Sequence, residues 1–244
     1  MKLIPGRASK HYLDGLADLP ITVDAIPDFE RLSDALEKRT GWRVVAVPGM
    51  VPNDVFFTHM ANRRFPAGQF IRKAHQLDYL QEPDVFHDIF GHVPMMVNPV
   101  MADFMQAYGE GGLKAMRLGE LDRIARLYWY TVEFGLIAEP QGVRIFGGGI
   151  LSSFTETRFA LESPSPNRIG FDLERVMRTH YRIDEFQETY FVMPSIDTLF
   201  DMANTDFGPI YERLKSVRDY GLAEVLPTDH IYTRGTGEYH RALA

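Results

Sequence analysis

The chain has 244 residues, with 45% apolar and 24% charged, a formal charge of −7 and no cysteine. That length suits one sizeable core, the negative balance gives nucleic acid or an anionic membrane no electrostatic purchase, and the missing thiol removes disulfides, thiolate metal sites and cysteine nucleophiles. Met1 to Pro20 lacks a signal peptide's apolar core and no stretch approaches a membrane span, so the expected setting is the cytoplasm and the expected partners are small molecules.

Residues 1–26 mix proline, glycine and charge without periodicity and read as an extended arm on the surface. Phe29, Leu32 and Leu36 then recur at helical spacing before Gly41, which predicts an amphipathic helix from Pro27 to Thr40. Trp42 to Val47 reads as a strand ending at Pro48-Gly49. The stretch from Gly49 to Phe56 places turn residues before aromatics and reads as a connecting loop.

Glu82-Pro83-Asp84-Val85-Phe86-His87-Asp88-Ile89-Phe90-Gly91-His92-Val93-Pro94 sets two histidines among apolar residues. Pro83 suits the first position of a helix, with Glu82 and Asp84 at the positive end of its dipole; Gly91 and Pro94 predict its stop, leaving His92 just beyond. Five residues on an ideal helix turn two side chains roughly 140° apart, so a stop at Gly91 is what would let His87 and His92 share an ion. The zinc protease pattern uses an i, i+4 pair followed directly by glutamate, whereas here the spacing is five and Asp88 follows. Alone, the pair fits a metal site and two satisfied polar side chains about equally.

Asn98 to Tyr108 has helical periodicity and residues 109–112 read as a break. A long central helix is predicted from about Gly119 to Ala138, with Leu121, Ile124, Leu127 and Tyr128 on one face. It would carry Glu133 into the core, where an ionised carboxylate is costly unless a cation or donors compensate it. Two imidazoles and one carboxylate make the facial set of non-haem ferrous oxygenases, with three coordination positions left open; His87, His92 and Glu133 are the candidates. Gly147-Gly148-Gly149 lacks both the Walker lysine and a GxGxxG pattern, so it reads as close backbone approach rather than nucleotide binding. Residues 163–167 form a turn-rich loop, Leu173 to Tyr181 a helix, Thr189 to Val192 a strand and Ile196 to Ala203 another helix; residues 221–244 hold no heptad repeat. The expected fold is mainly α with a small β component (α+β): an arm (1–26), one catalytic domain (27–220) and a C-terminal tail (221–244).

Three blocks, EPDVFHDIFGHVP at 82–94, YWYTVEFGL at 128–136 and GGGILSSF at 147–154, together resemble the pterin-dependent aromatic amino acid hydroxylases, in that family's order. The similarity runs from about Arg43 to Val192. It implies a single catalytic domain binding Fe(II) through His87, His92 and Glu133, with tetrahydrobiopterin or a related tetrahydropterin, O2 and L-phenylalanine as partners. It further implies that Arg72 grips the substrate carboxylate, a group its planar fork fits, and that Tyr79, Pro83, Trp129 and Ser152 surround the amino acid. Gly49, Val51, Phe56, Asp88, Ala125 and Tyr128 fall at the pterin, Phe56 as a stacking ring.

Tryptophan at 129 and the aliphatic Ile183 accompany phenylalanine hydroxylation in the family, while Leu80 departs from the threonine of animal members. Those animal members add a regulatory domain and a tetramerisation helix, for neither of which this chain has room, so a monomer is expected. Rival readings are a related hydroxylase acting on tryptophan or at the meta position of phenylalanine, and a non-catalytic metal-binding module. A 2-oxoglutarate oxygenase would need a close His-x-Asp with a distant histidine, and a zinc hydrolase a general base.

Overall fold

The computed structural model describes residues 2–22, 24–73, 76 and 82–243. Helices pack around a mixed sheet in the order β4-β3-β6-β5-β7, with a separate parallel pair β1-β2, which makes the domain α+β. Here β1 is Arg43–Val47, β2 Arg64–Gly68, β3 Leu136–Glu139, β4 Gly142–Ile145, β5 Asn167–Gly170, β6 Thr189–Met193 and β7 Ile231–Thr233. Strand β6 lies between parallel neighbours β3 and β5 and is buried at every position, which is why it reads as a continuous run without alternation.

Helix α1 (Lys10–Asp18) corrects the expectation of an extended surface arm. Ser9 caps it by accepting from the Tyr12 N–H, and Tyr12, fully buried, donates its hydroxyl to Phe90 O at 2.6 Å. Gly15 packs so closely on the Pro94 carbonyl that a Cβ there would overlap it. The buried face of α1 is thus largely tyrosine and glycine, so it shows no hydrophobic periodicity.

Helix α2 (Phe29–Thr40) forms as expected, capped by the Asp28 carboxylate and ended by Gly41 at φ 74°. Strands β1 and β2 pair from Arg43↔Arg64 to Val47↔Gly68 around α3 (Asn53–Ala61). Phe56 therefore lies in the first turns of a helix, not in a loop. Helix α4 (Pro99–Leu118) runs through the expected break at residues 109–112. Its glycines serve packing: a Cβ at Gly109 would strike the Met60–Ala61 backbone and one at Gly112 the Phe57 ring, so α3 can lie tight against α4.

The expected helix over 119–138 is divided. Helix α5 (Leu121–Tyr128) passes into a π-helical turn, Trp129–Glu133, and the chain then enters β3. Leu136 and Ile137 are buried strand residues paired to both β4 and β6; a short apolar run does not distinguish strand from helix by periodicity. Helices α6 (Gly148–Leu151), α7 (Phe154–Glu162), α8 (Leu173–Met177), α9 (Asp197–Ala203) and α10 (Gly208–Leu214) follow. Helix α8 is shorter than the expected 173–181, since Thr179 leaves it to bridge Tyr220. Within the expected tail, β7 pairs antiparallel with β5 and α11 (Glu238–Leu243) follows, so those residues complete the sheet edge.

Candidate metal centre and active site

The two histidines stand on a π-helical turn, His87–His92, which continues directly into a 3-10 turn at Val93–Val97. This corrects two expectations: the helix starts at Val85, capped by Asp84, whose carboxylate accepts the His87 N–H at 2.9 Å, and Gly91 does not stop it. A π turn closes over five residues where an α turn closes over four. The five-residue spacing that would scatter the imidazoles on an α-helix therefore lines them up, and Nε2 of His87 lies 3.0 Å from Nε2 of His92. Gly91 is needed for another reason: a Cβ there would lie 2.6 Å from Gly148 O.

Glu133 ends the second π turn. Its Oε2 lies 3.5 Å from His87 Nε2 and its Oε1 3.3 Å from His92 Nε2. Cis ligands about 2.1 Å from one ion stand about 3 Å apart, so the three donors have the mutual spacing of one face of a coordination sphere. Their electrostatics agree. Burial opposes ionisation of Glu133, yet the adjoining imidazoles outweigh it and hold the carboxyl well below the usual range. Burial also disfavours protonated His87, but the Glu133 carboxylate prevails and raises it. The pocket draws positive charge to this point, and the donor set fits a ferrous ion.

Backbone closes the other side. The triglycine turn meets the ligands residue by residue: a Cβ at Gly147 would overlap Glu133 O, one at Gly148 would lie 2.5 Å from the His92 ring, and one at Gly149 would lie 2.9 Å from Glu133 Oε2. The close approach read from the sequence is therefore to the ligands themselves. Ser152, at the end of α6, places Oγ 2.9 Å from His87 Nδ1 and fixes that ring through its second nitrogen.

Arg72 and Asp84 form a buried pair, with side chains 8% and 0% exposed. Asp84 receives the Arg72 N–H and Nε at 2.9 Å each and Nη2 at 2.8 Å. Burial alone would raise the Asp84 carboxyl; the bonds from Arg72 and from His87 N–H outweigh it and lower it. Asp84 thus holds the guanidinium beside the metal turn while capping that turn, a double role that its reading as a dipole residue missed. Glu82 was missed similarly: its Oε1 accepts the Met50 N–H at 3.0 Å and would lie 2.6 Å from a Cβ at Gly49, tying segment 49–56 to the metal stretch.

Phe56 and Tyr128 meet edge to face with centroids 6.1 Å apart, and Tyr128 lies 6.4 Å from the His92 ring. Ala125 is one turn before Trp129, and Gly49 and Val51 precede α3. Asp88 is buried and accepts the Gly68 N–H at 2.7 Å; burial pushes its carboxyl up. Trp129 stacks on Tyr181 (4.4 Å, 20°) and packs on Phe134 (4.7 Å, 31°). Pro83 immediately precedes Asp84, and Tyr79 and Leu80 lie outside the described residues.

The chain belongs to the biopterin-dependent aromatic amino acid hydroxylase family, whose model matches residues 1–213. A phenylalanine-4-hydroxylase of Caulobacter vibrioides is 63% identical over 240 residues, covering 98% of this chain and 82% of that protein. The Chromobacterium violaceum phenylalanine hydroxylase structure with bound iron(III) and 7,8-dihydrobiopterin superposes with a TM-score of 0.90 at 56% identity, covering 94% of this chain and 83% of that one. The iron- and phenylalanine-bound structure from the same organism gives 0.89 at 54% identity, covering 94% and 84%.

Proposed function

We propose that this chain hydroxylates L-phenylalanine at the para carbon to give L-tyrosine, using O2 and a tetrahydropterin at a non-haem Fe(II) site. The observation that carries this is the facial set of His87, His92 and Glu133, with donor separations of 3.0, 3.3 and 3.5 Å, in a chain 63% identical to a phenylalanine-4-hydroxylase. Bound iron and reduced pterin together supply the activation of O2.

The chain's own residues bind, orient and exclude water. His87 and His92 would hold the ion through their Nε2 atoms and Glu133 through its carboxylate, with Ser152 holding the His87 plane. Arg72, braced by Asp84, takes the substrate carboxylate and so sets the distance of the aromatic ring from the metal. Pro83 and Trp129 wall the ring. Phe56 and Tyr128 offer aromatic faces to the pterin, with Gly49, Val51, Asp88 and Ala125 around it. We place the activity in a monomer in the cytoplasm as parts of the same proposal, the first checked by gel filtration.

The test is anaerobic loading with ferrous iron, then addition of oxygenated buffer, phenylalanine and a tetrahydropterin, with products separated by chromatography. Tyrosine is expected only when iron, pterin and oxygen are all present, and Glu133→Gln is expected to lose iron and turnover together. A meta-hydroxylated product, or turnover with tryptophan but not phenylalanine, would overturn the substrate assignment. Full activity of Glu133→Gln would remove Glu133 from the ligand set.

A further inference from the structure

Gln187 stands outside the residues assigned above, is 2% exposed, and uses both ends of its amide. Its Oε1 accepts the Trp129 indole Nε1–H at 3.0 Å and the Arg182 N–H at 3.4 Å. Its Nε2 donates to Arg182 O at 2.8 Å and Glu185 O at 3.5 Å. The orientation is unambiguous, because a flipped amide would set its donors against two N–H groups and its acceptor against two carbonyls.

This amide joins two segments. At one end Trp129 begins the π turn that finishes at Glu133. At the other, residues 180–187 are held to the same turn a second time by the Tyr130 hydroxyl, which donates to His180 O at 2.7 Å. Between these anchors Tyr181 stacks on the indole, and Ile183 stands 62% exposed. Stacking alone leaves a flat ring able to slide and turn in its own plane. The bond from Nε1 to Gln187 removes that freedom, since an indole has one donor and a part-buried one needs its partner.

We propose that Gln187 is a positioning residue for the Trp129 indole and, through it, for the choice of amino acid. This rests on the reading of Trp129 as a wall of the amino-acid pocket. An indole fixed in rotation presents one unchanging surface to the substrate ring; one without its acceptor relaxes and admits larger rings while holding phenylalanine less well.

The test is a cycle of Gln187→Leu, Trp129→Phe and the double variant, on iron-loaded protein. Its readouts are the kcat/KM ratio for phenylalanine over tryptophan and the fraction of pterin oxidation that yields hydroxylated amino acid. Gln187→Leu is expected to lower the ratio about fivefold, the weight of one hydrogen bond, and to lower the coupled fraction. It is expected to add nothing in the Trp129→Phe background, where no indole N–H remains. Gln187→Met replaces Gln187→Leu if that variant fails to fold.

A readout independent of turnover is the indole N–H resonance in nitrogen-15-labelled protein. The chain has 2 tryptophans, and Trp42 donates to Ala102 O at 3.2 Å in the core. Only the Trp129 signal is expected to move in Gln187→Leu. An unmoved signal overturns the proposal, as does a loss of stability and kcat with ratio and coupling unchanged, or an equal fall in the Trp129→Phe background. If Trp129→Phe changes the ratio and Gln187→Leu does not, Gln187 alone is wrongly assigned. If Trp129→Phe leaves it unchanged, the pocket-wall reading fails and takes this proposal with it.

Discussion

Gly148 faces the ring of His92 so closely that a Cβ on the glycine would lie 2.5 Å from both Cε1 and Nδ1. The ring is buried and the glycine belongs to a short helix, so neither yields cheaply. Gly148→Ala is expected to push His92 off the ion and lower ferrous affinity at least about tenfold, read by competition with a chelator. Gly111→Ala is the control: its added Cβ would meet the flexible end of Ile124 at 3.2 Å, and iron affinity is expected to stay unchanged.

Ser152→Ala removes the group 2.9 Å from His87 Nδ1 while sparing all three ligands. The ring keeps its place by packing and loses its fixed plane. A fall of about 10–100-fold in iron affinity or kcat is expected, with little change in melting temperature. Equal iron binding and turnover in variant and parent would leave Ser152 without a role at His87.

Asp84→Ala leaves the Arg72 guanidinium in its buried position without that carboxylate. Breaking a buried pair from one side costs about 3–5 kcal/mol, to be read by urea unfolding, and the KM for phenylalanine is expected to rise more than that for pterin. Because the folded Asp84 carboxyl is lowered, its contribution is complete above the ordinary carboxylate range and is lost as pH falls through the folded value. The parent's advantage over Asp84→Asn should therefore shrink in acid.

Glu156, on α7, is buried and accepts the Tyr190 hydroxyl. Burial pushes its carboxyl from 4.5 up to about 7, against the opposing bonds from Tyr190 and the Gln187 backbone. Here the sign is reversed: between those values the folded chain keeps a proton the unfolded chain has released, so stability falls as pH rises through that interval and levels off above it. Glu156→Gln keeps an acceptor for Tyr190 and abolishes the titration. Its stability relative to the parent is expected to grow by about 3 kcal/mol from below to above the interval, measured by urea unfolding at several pH values.

What could be read from the chain alone followed from chemistry that is local in sequence. The candidate ligands could be picked out because a lone carboxylate in an apolar run calls for a cation or donors, and two close histidines together with the order of the three motif blocks turned that choice toward a cation. Helix α2 was legible from its periodicity and Gly41; its Asp28 cap emerged only with the structure. Helix α1 was hidden because its buried face, Tyr12 and Gly15, carries little of the apolar pattern that marks a helix. Asp84 as the brace of Arg72, Glu82 and Gln187 were hidden for a different reason. Each acts on a residue brought near by the fold: Glu82 is 32 positions from Met50 and Gln187 is 58 from Trp129. No spacing rule reaches that far. The winding of the ligand turns was also invisible, since sequence patterns assume the 3.6-residue period.

Those wide turns have a consequence for anyone wishing to make the protein hardier. A π turn amounts to an α-helix carrying one residue too many, and the usual route to a more robust helix is to restore its regular geometry. At His87–His92 and Trp129–Glu133, that improvement and the loss of iron are the same event. Selection for heat resistance alone would be free to erase both turns, so a screen that never asks for tyrosine would reward variants that have forgotten how to make it.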